Sequence, residues 1–185
     1  TSTLQQEAFR KLRFTARQSM QIAQQLYEGL ALGDQGSVGL ITYMRTDSTN
    51  VSPVALSEAA SYIKDNFGPE YTPKTPRLYK KKVKGAQEAH EAIRPTSITQ
   101  AQDPSTVKRY LTSEQHRLYD LIWKRMLASQ MPDAVFDSTS VQVSAETKTG
   151  TDYVFRANGS VLKFKGFRAL YMEASDDEEA GPEEG

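Results

Sequence analysis

Apolar positions in the first seventy residues recur at helical spacing, and polar capping signals stand ahead of each run. Thr3 with Gln6 three residues on has the form of a capping box and opens a short helix through Leu12. Thr15 with Gln18 repeats the signal before a stripe of Met20, Ile22, Ala23, Leu26 and Tyr27. Ser52-Pro53, a cap followed by proline at the first helical position, starts a third helix through Val54, Leu56, Ala59, Ala60 and Ile63, with a stop at Gly68-Pro69. Thr112-Ser113-Glu114-Gln115 is a further capping box. Leu118, Leu121, Ile122, Arg125, Met126 and Ala128 follow it at helical spacing, with Trp123 offset from that stripe and Pro132 closing the helix. These stripes are core faces.

Between the helices, Gly29, Gly33, Gly36 and Gly39 mark a loop, Pro69, Pro73 and Pro76 break the chain into an irregular segment, and a polar linker follows Pro95. Beyond Pro132 the period becomes two. Val135 to Val143 alternates, and Tyr153-Val154-Phe155 and Val161-Leu162-Lys163-Phe164 flank Asn158-Gly159-Ser160, which reads as a hairpin-like turn. The class is therefore α+β: a mainly helical part over residues 1–131, a β-rich part over 132–174, and an acidic tail over 175–185 too poor in apolar residues to fold.

Composition narrows the picture. A 185-residue chain with 38% hydrophobic and 25% charged residues suits one soluble domain or two small ones. The absence of cysteine excludes a disulfide scaffold and a thiolate metal site. No apolar run reaches the ~20 residues needed to span a bilayer and no signal peptide is visible, so no membrane partner is expected and the chain reads as cytoplasmic. Its net charge is zero, yet the last eleven residues hold six acids and no base, so the first 174 carry +6. Lys74, Arg77, Lys80, Lys81, Lys82 and Lys84 cluster without an intervening acid; the run describes a nucleic-acid contact or a solvated loop equally well.

Candidate chemistry centres on Gly39-Leu40-Ile41-Thr42-Tyr43-Met44-Arg45-Thr46-Asp47-Ser48. Strand-type residues before Tyr43 put Tyr43 and Arg45 on one face of an extended segment. A phenol with a pKa near ~10 is a poor nucleophile at neutral pH, but a nearby guanidinium favours the phenolate and can hold a phosphate oxygen. Spacing alone more often describes a half-buried ring beside a solvated charge. A second segment, Gln87-Glu88-Ala89-His90-Glu91-Ala92-Ile93-Arg94-Pro95-Thr96-Ser97, is equally particular. Taken alone, His90 reads more readily as a hydrogen-bonded residue that orders its loop. Asp47 and Glu91 read as residues that fix local geometry, since single carboxylates make no metal cage. His116 lies on an ordinary amphipathic helix and carries no assignment.

Three blocks together, Thr1-Ser2-Thr3-Leu4-Gln5-Gln6-Glu7-Ala8, Gly39 through Asn50, and Glu88 through Thr96, resemble the type IA DNA topoisomerases, most closely the bacterial topoisomerase I branch. The segment from Met20 to Gly29 is similar as well, and the resemblance runs to about Ala174. Topoisomerase III and reverse gyrase share this chemistry and stay open on these motifs. In that family a helical tyrosine-bearing domain is inserted between two stretches of a β-rich arch domain; this chain would hold the helical domain and the second stretch, as an excised fragment.

The resemblance implies that Tyr43 attacks a phosphodiester of single-stranded DNA to leave a 5′-phosphotyrosyl bond and a free 3′-hydroxyl, with religation after strand passage. Arg45 would stabilise phosphate charge, and His90 and Arg94 would add phosphate or backbone contacts. The implied partners are DNA and the rest of the parent chain, in a nucleoid-associated location. The family's magnesium is bound by a toprim-type acidic domain, which nothing in these 185 residues matches, so no cofactor is expected in this chain and no supercoil relaxation from it alone. Strands lacking their partners would leave edges open to self-association. Two rival readings remain: a non-covalent single-strand-binding module, and a protein-interaction domain with the acidic tail as a handle.

Overall fold

A computed structural model of the chain describes residues 1–33, 36–79, 90–145 and 153–172. Among the described residues five α-helices, α1 (Ser2–Leu12), α2 (Ala16–Glu28), α3 (Pro53–Phe67), α4 (Pro104–Val107) and α5 (Ser113–Gln130), precede a long antiparallel hairpin of β3 (Val135–Ala145) and β4 (Tyr153–Phe164). A two-residue ladder of β1 (Leu30–Ala31) and β2 (Ser37–Val38) follows α2. Apart from that short ladder, helices come first and antiparallel strands after them along the chain, so the α+β class holds. No described helix is long and apolar enough to cross a membrane.

Local capping chemistry explains most helix starts. The Thr112 hydroxyl accepts from Gln115 N while the Gln115 side chain accepts from Thr112 N, a complete capping box. Ser52 caps α3 through Ala55 N, with Pro53 at the first position. Thr15 caps α2 through Gln18 N, but the Gln18 amide donates instead to Glu114 on α5 at 2.7 Å. The first capping box does not form: α1 starts at Ser2, and Thr1 at its head turns its hydroxyl to the Met44 and Thr46 carbonyls at 2.8 and 3.0 Å. The stretch after Pro95 is more than a linker. Asp103 caps α4 by accepting from Ser105 N at 2.8 Å, repeating the cap-plus-proline device of Ser52-Pro53.

Helix α5 is the hub, with ten of its 18 residues buried. Its expected stripe is inside except for Arg125, which is partly exposed, and so is a second row of Tyr119, Trp123 and Leu127, because α2 packs on one side and α3 and α4 on others. Trp123 is thus a core residue, edge-on to Tyr62 at 5.4 Å. Gln130, 1% exposed, is satisfied by Arg77, whose N–H donates to its side-chain oxygen at 3.0 Å and whose carbonyl accepts from its amide at 3.1 Å. The Arg77 guanidinium donates to Met131 O and Asp133, so this member of the basic run ties the loop to the end of α5. Lys80 to Lys84 lie outside the described residues.

The hairpin corrects the turn expected at Asn158-Gly159-Ser160. These residues are mid-strand, paired with Ser140, Thr139 and Ser138, and the two strands are joined by residues 146–152. Every position of both strands except the last is exposed. After β4, Gly166 (φ 49°) crosses the start of the hairpin so closely that a Cβ there would lie 2.5 Å from Pro132 and Asp133 backbone atoms. Phe167, Leu170 and Tyr171 then return to the helical core. Residues 175–185, expected to be disordered, lie outside the described residues.

Candidate active site

The Tyr43 segment hangs from the end of α2. Gly39 lets its backbone approach Tyr27 O, which a Cβ would meet at 2.7 Å, and Leu40 N donates to Leu26 O at 2.7 Å. From there the chain runs extended against the second motif. Thr96 N donates to Leu40 O and Thr42 N to Arg94 O, around an antiparallel bridge between Ile41 and Pro95. The Thr42 hydroxyl donates to Ala92 O at 2.7 Å and accepts from Arg94 N at 3.0 Å. Leu40, Ile41 and Met44 face the core, which leaves Tyr43 and Arg45 facing solvent.

Tyr43 is 48% exposed, and its ring meets that of Tyr27 edge-on at 5.2 Å. Both tyrosines line a cleft of about 340 Å³ together with Thr42, Arg45, Thr46, His90 and Glu91. Arg45 and His90 make no hydrogen bond or ion pair among the described residues, so both keep donors for a ligand. A larger depression of about 430 Å³ along α3 is lined by Glu58 and Asp65 and by no cation, the wrong sign for phosphate.

Arg94 does not line the cleft. Its side chain is buried and fully engaged: Nη2 donates to Glu91 Oε2 at 2.7 Å and to Ser52 Oγ at 3.3 Å, Nε to Glu91 Oε1 at 3.3 Å, and Nη1 to Pro95 O at 2.8 Å and Thr96 O at 3.3 Å. Glu91 also accepts from Ser52 N at 2.8 Å, so it fixes the α3 start as the sequence suggested. Asp47, expected to fix its loop, is exposed and makes no hydrogen bond among the described residues.

Two features escaped the sequence pattern. Tyr27 looked like part of an apolar stripe but is 40% exposed in the cleft, and its place beside the Gly29 stop was the available signal. Thr1 holds the carbonyls on either side of Arg45, a contact across more than forty residues that no local pattern announces.

The DNA topoisomerase family model matches residues 1–184. The chain belongs to the bacterial DNA topoisomerase family. It is 54% identical over 180 residues to DNA topoisomerase 1 from each of two Xylella fastidiosa strains, which covers 97% of this chain and 21% of those relatives. It is also similar to full-length topoisomerase I of Thermotoga maritima, at 40% identity and a TM-score of 0.73 over 96% of this chain and 27% of that one. The chain therefore spans about a fifth to a quarter of the length of these relatives. Among the described residues no group of three or more His, Cys, Asp or Glu could hold a metal ion, and Glu91 is spent on Arg94 and Ser52. The described residues of this cleft do not fit a magnesium site.

Proposed function

We propose that this chain is the tyrosine-bearing part of a type IA enzyme of the topoisomerase I branch, which breaks and rejoins one DNA strand to relax negative supercoils. The observation that carries the reading is the cleft in which half-exposed Tyr43 stands with Arg45 and His90. The Tyr43 oxygen would attack phosphorus as its phenolic proton departs; a phosphotyrosyl bond forms at the 5′ side, the bond to the 3′ oxygen breaks, and that oxygen takes up a proton. The ester conserves the bond energy for religation. Arg45 and His90 would donate to the non-bridging oxygens as charge grows on them. Arg94 would act from behind, holding Glu91 and the carbonyls after it so that His90 faces the cleft. Magnesium and the acid for the leaving oxygen belong, on this reading, to the portion of the parent that this chain does not span. A missing general acid costs about 10²–10⁴-fold in rate, so the chain alone should not relax plasmid DNA with or without magnesium.

The test uses the parent enzyme carrying Tyr43→Phe, which removes one oxygen from an exposed ring. It should fold normally and form no denaturant-resistant DNA adduct. An adduct from that variant would refute the nucleophile, and salt-sensitive strand binding without any adduct from the unaltered parent would favour a non-covalent module.

A further inference from the structure

The position that heads a helix favours threonine because its hydroxyl can accept from the N–H groups of the first turn. Thr1 holds that position on α1, yet its hydroxyl makes no such bond. It reaches the site loop instead: Thr1 Oγ1 donates to Met44 O at 2.8 Å and accepts from Thr46 N at 3.0 Å. Thr46 O lies 3.0 Å from the same hydroxyl, but Thr1 N already donates to it at 2.8 Å, so the single hydroxyl proton is left for Met44 O. The Met44 carbonyl and the Thr46 N–H belong to the two peptide units that flank Arg45. One hydroxyl therefore holds both.

The two halves of the site loop are fixed by different neighbours. Ahead of Tyr43, the Ile41–Pro95 bridge and the bonds of Thr42 to Ala92 and Arg94 keep the chain extended. Beyond Tyr43 the backbone bends at Met44 and Arg45, with the Met44 side chain sunk in the core at 1% exposure. Arg45 lines the cleft without a hydrogen bond or ion pair among the described residues, so its backbone alone aims the guanidinium. Thr1 does not line the cleft, and α1 gives it a firm base, with Ala8 fully buried and the helix packed on α2 and α5.

We propose that Thr1 is a positioning residue for Arg45: its hydroxyl fixes the bend that turns the guanidinium into the cleft, towards the phosphate whose charge grows during strand cleavage. The inference rests on the reading of Tyr43 and Arg45 given above and carries it to a residue outside the cleft. A donor stabilises developing charge to the extent that it is already in place, and a misplacement of ~1 Å can cost about 10²-fold in rate.

The experiment measures how fast the parent enzyme forms a denaturant-resistant adduct with a saturating, end-labelled single-stranded oligonucleotide. Thr1→Val puts a methyl group in place of the hydroxyl and removes both of its bonds, but no helix cap is lost with it. It should slow adduct formation about ten- to a hundredfold. Thr1→Ser keeps the oxygen and should restore most of the rate. Arg45→Ala should cost about 10²–10³-fold, and adding Thr1→Val to it should change the rate by less than about twofold, because the group that Thr1 aims is gone. Adduct formation by Thr1→Val at the unaltered rate overturns the proposal, as does a Thr1→Ser variant no faster than Thr1→Val. Losses that multiply in the double variant also overturn it, since Thr1 would then brace the loop without acting through Arg45. An unaltered parent that forms no adduct sinks the Tyr43 reading and this one with it, whereas a normal adduct with an indifferent Thr1 sinks this one alone.

Discussion

Replacing Arg94 with alanine tests whether its guanidinium holds the site together or touches the ligand. The substitution removes both bonds to Glu91 and takes the guanidinium donor away from the Pro95 and Thr96 carbonyls, while the Ser52 hydroxyl keeps its bond from Ala55 N. Breaking a buried ion pair costs ~3–5 kcal/mol when the remaining charge is fully enclosed. The Glu91 side chain is 33% exposed, so water can resolvate it, which moves the expectation to about 2–3 kcal/mol. For a chain of this length that corresponds to a fall of roughly 5–10 °C in melting temperature. Urea unfolding followed by Trp123, the one tryptophan and 3% exposed, reads the loss as a lower midpoint at unchanged slope. Arg94→Lys should recover less than half, because an ammonium cannot span two carboxylate oxygens and two carbonyls in one plane. A variant that keeps its stability yet loses single-strand binding would refute the reasoning, since the guanidinium would then be contacting the strand.

Three further outcomes follow from the geometry. Arg45→Lys in the parent enzyme should slow cleavage while leaving the melting temperature unchanged, because Arg45 makes no bond among the described residues; cleavage at the unaltered rate would leave it without a role at the phosphate. Burial opposes ionisation of Asp103, but hydrogen bonds from Ser105, Tyr62 and Thr106 outweigh it and hold its carboxyl below the usual range. Its contribution is therefore present above the unfolded value of ~3.9 and is lost as pH falls through the lower folded value; urea midpoints between pH 5 and 2.5 should fall more steeply for the unaltered chain than for Asp103→Asn. The hairpin should associate between chains, so sedimentation should show concentration-dependent growth that Val143→Lys with Phe155→Lys, a facing and exposed pair, suppresses; equal growth in that variant would assign the association to another surface.

What the sequence disclosed was mostly local. The Thr112 box and the Ser52-Pro53 start involve partners within three residues, and both formed as read. The same rule applied to Asp103-Pro104 would have found α4. Thr3 misled because the residue two before it heads the helix and spends its hydroxyl on a distant loop. Asn158-Gly159-Ser160 has turn composition, but ladder pairing along the whole of β4 overrides it, and a Cβ at Gly159 would meet nothing within 4 Å. At the site, the sequence placed Tyr43 and Arg45 on one side of an extended segment, and both face the cleft. It could not separate His90 from Arg94, because a guanidinium serves a phosphate, a carboxylate or a carbonyl equally well, and only the folded chain shows which oxygens are near.

The crossing of Gly166 over Pro132 and Asp133 makes the start of the hairpin a fulcrum. Eleven paired residues at ~3.4 Å each extend the strands about 37 Å beyond it. A tilt of only about 10° there would sweep the far end through ~6 Å, by the geometry of that length. The inner arm is short, and its last described residues are Tyr171 and Met172, lodged against α1, whose capping residue Thr1 holds the carbonyls on either side of Arg45. Any tilt of the hairpin about that crossing would therefore reach α1 as a much smaller displacement than it makes at the far end.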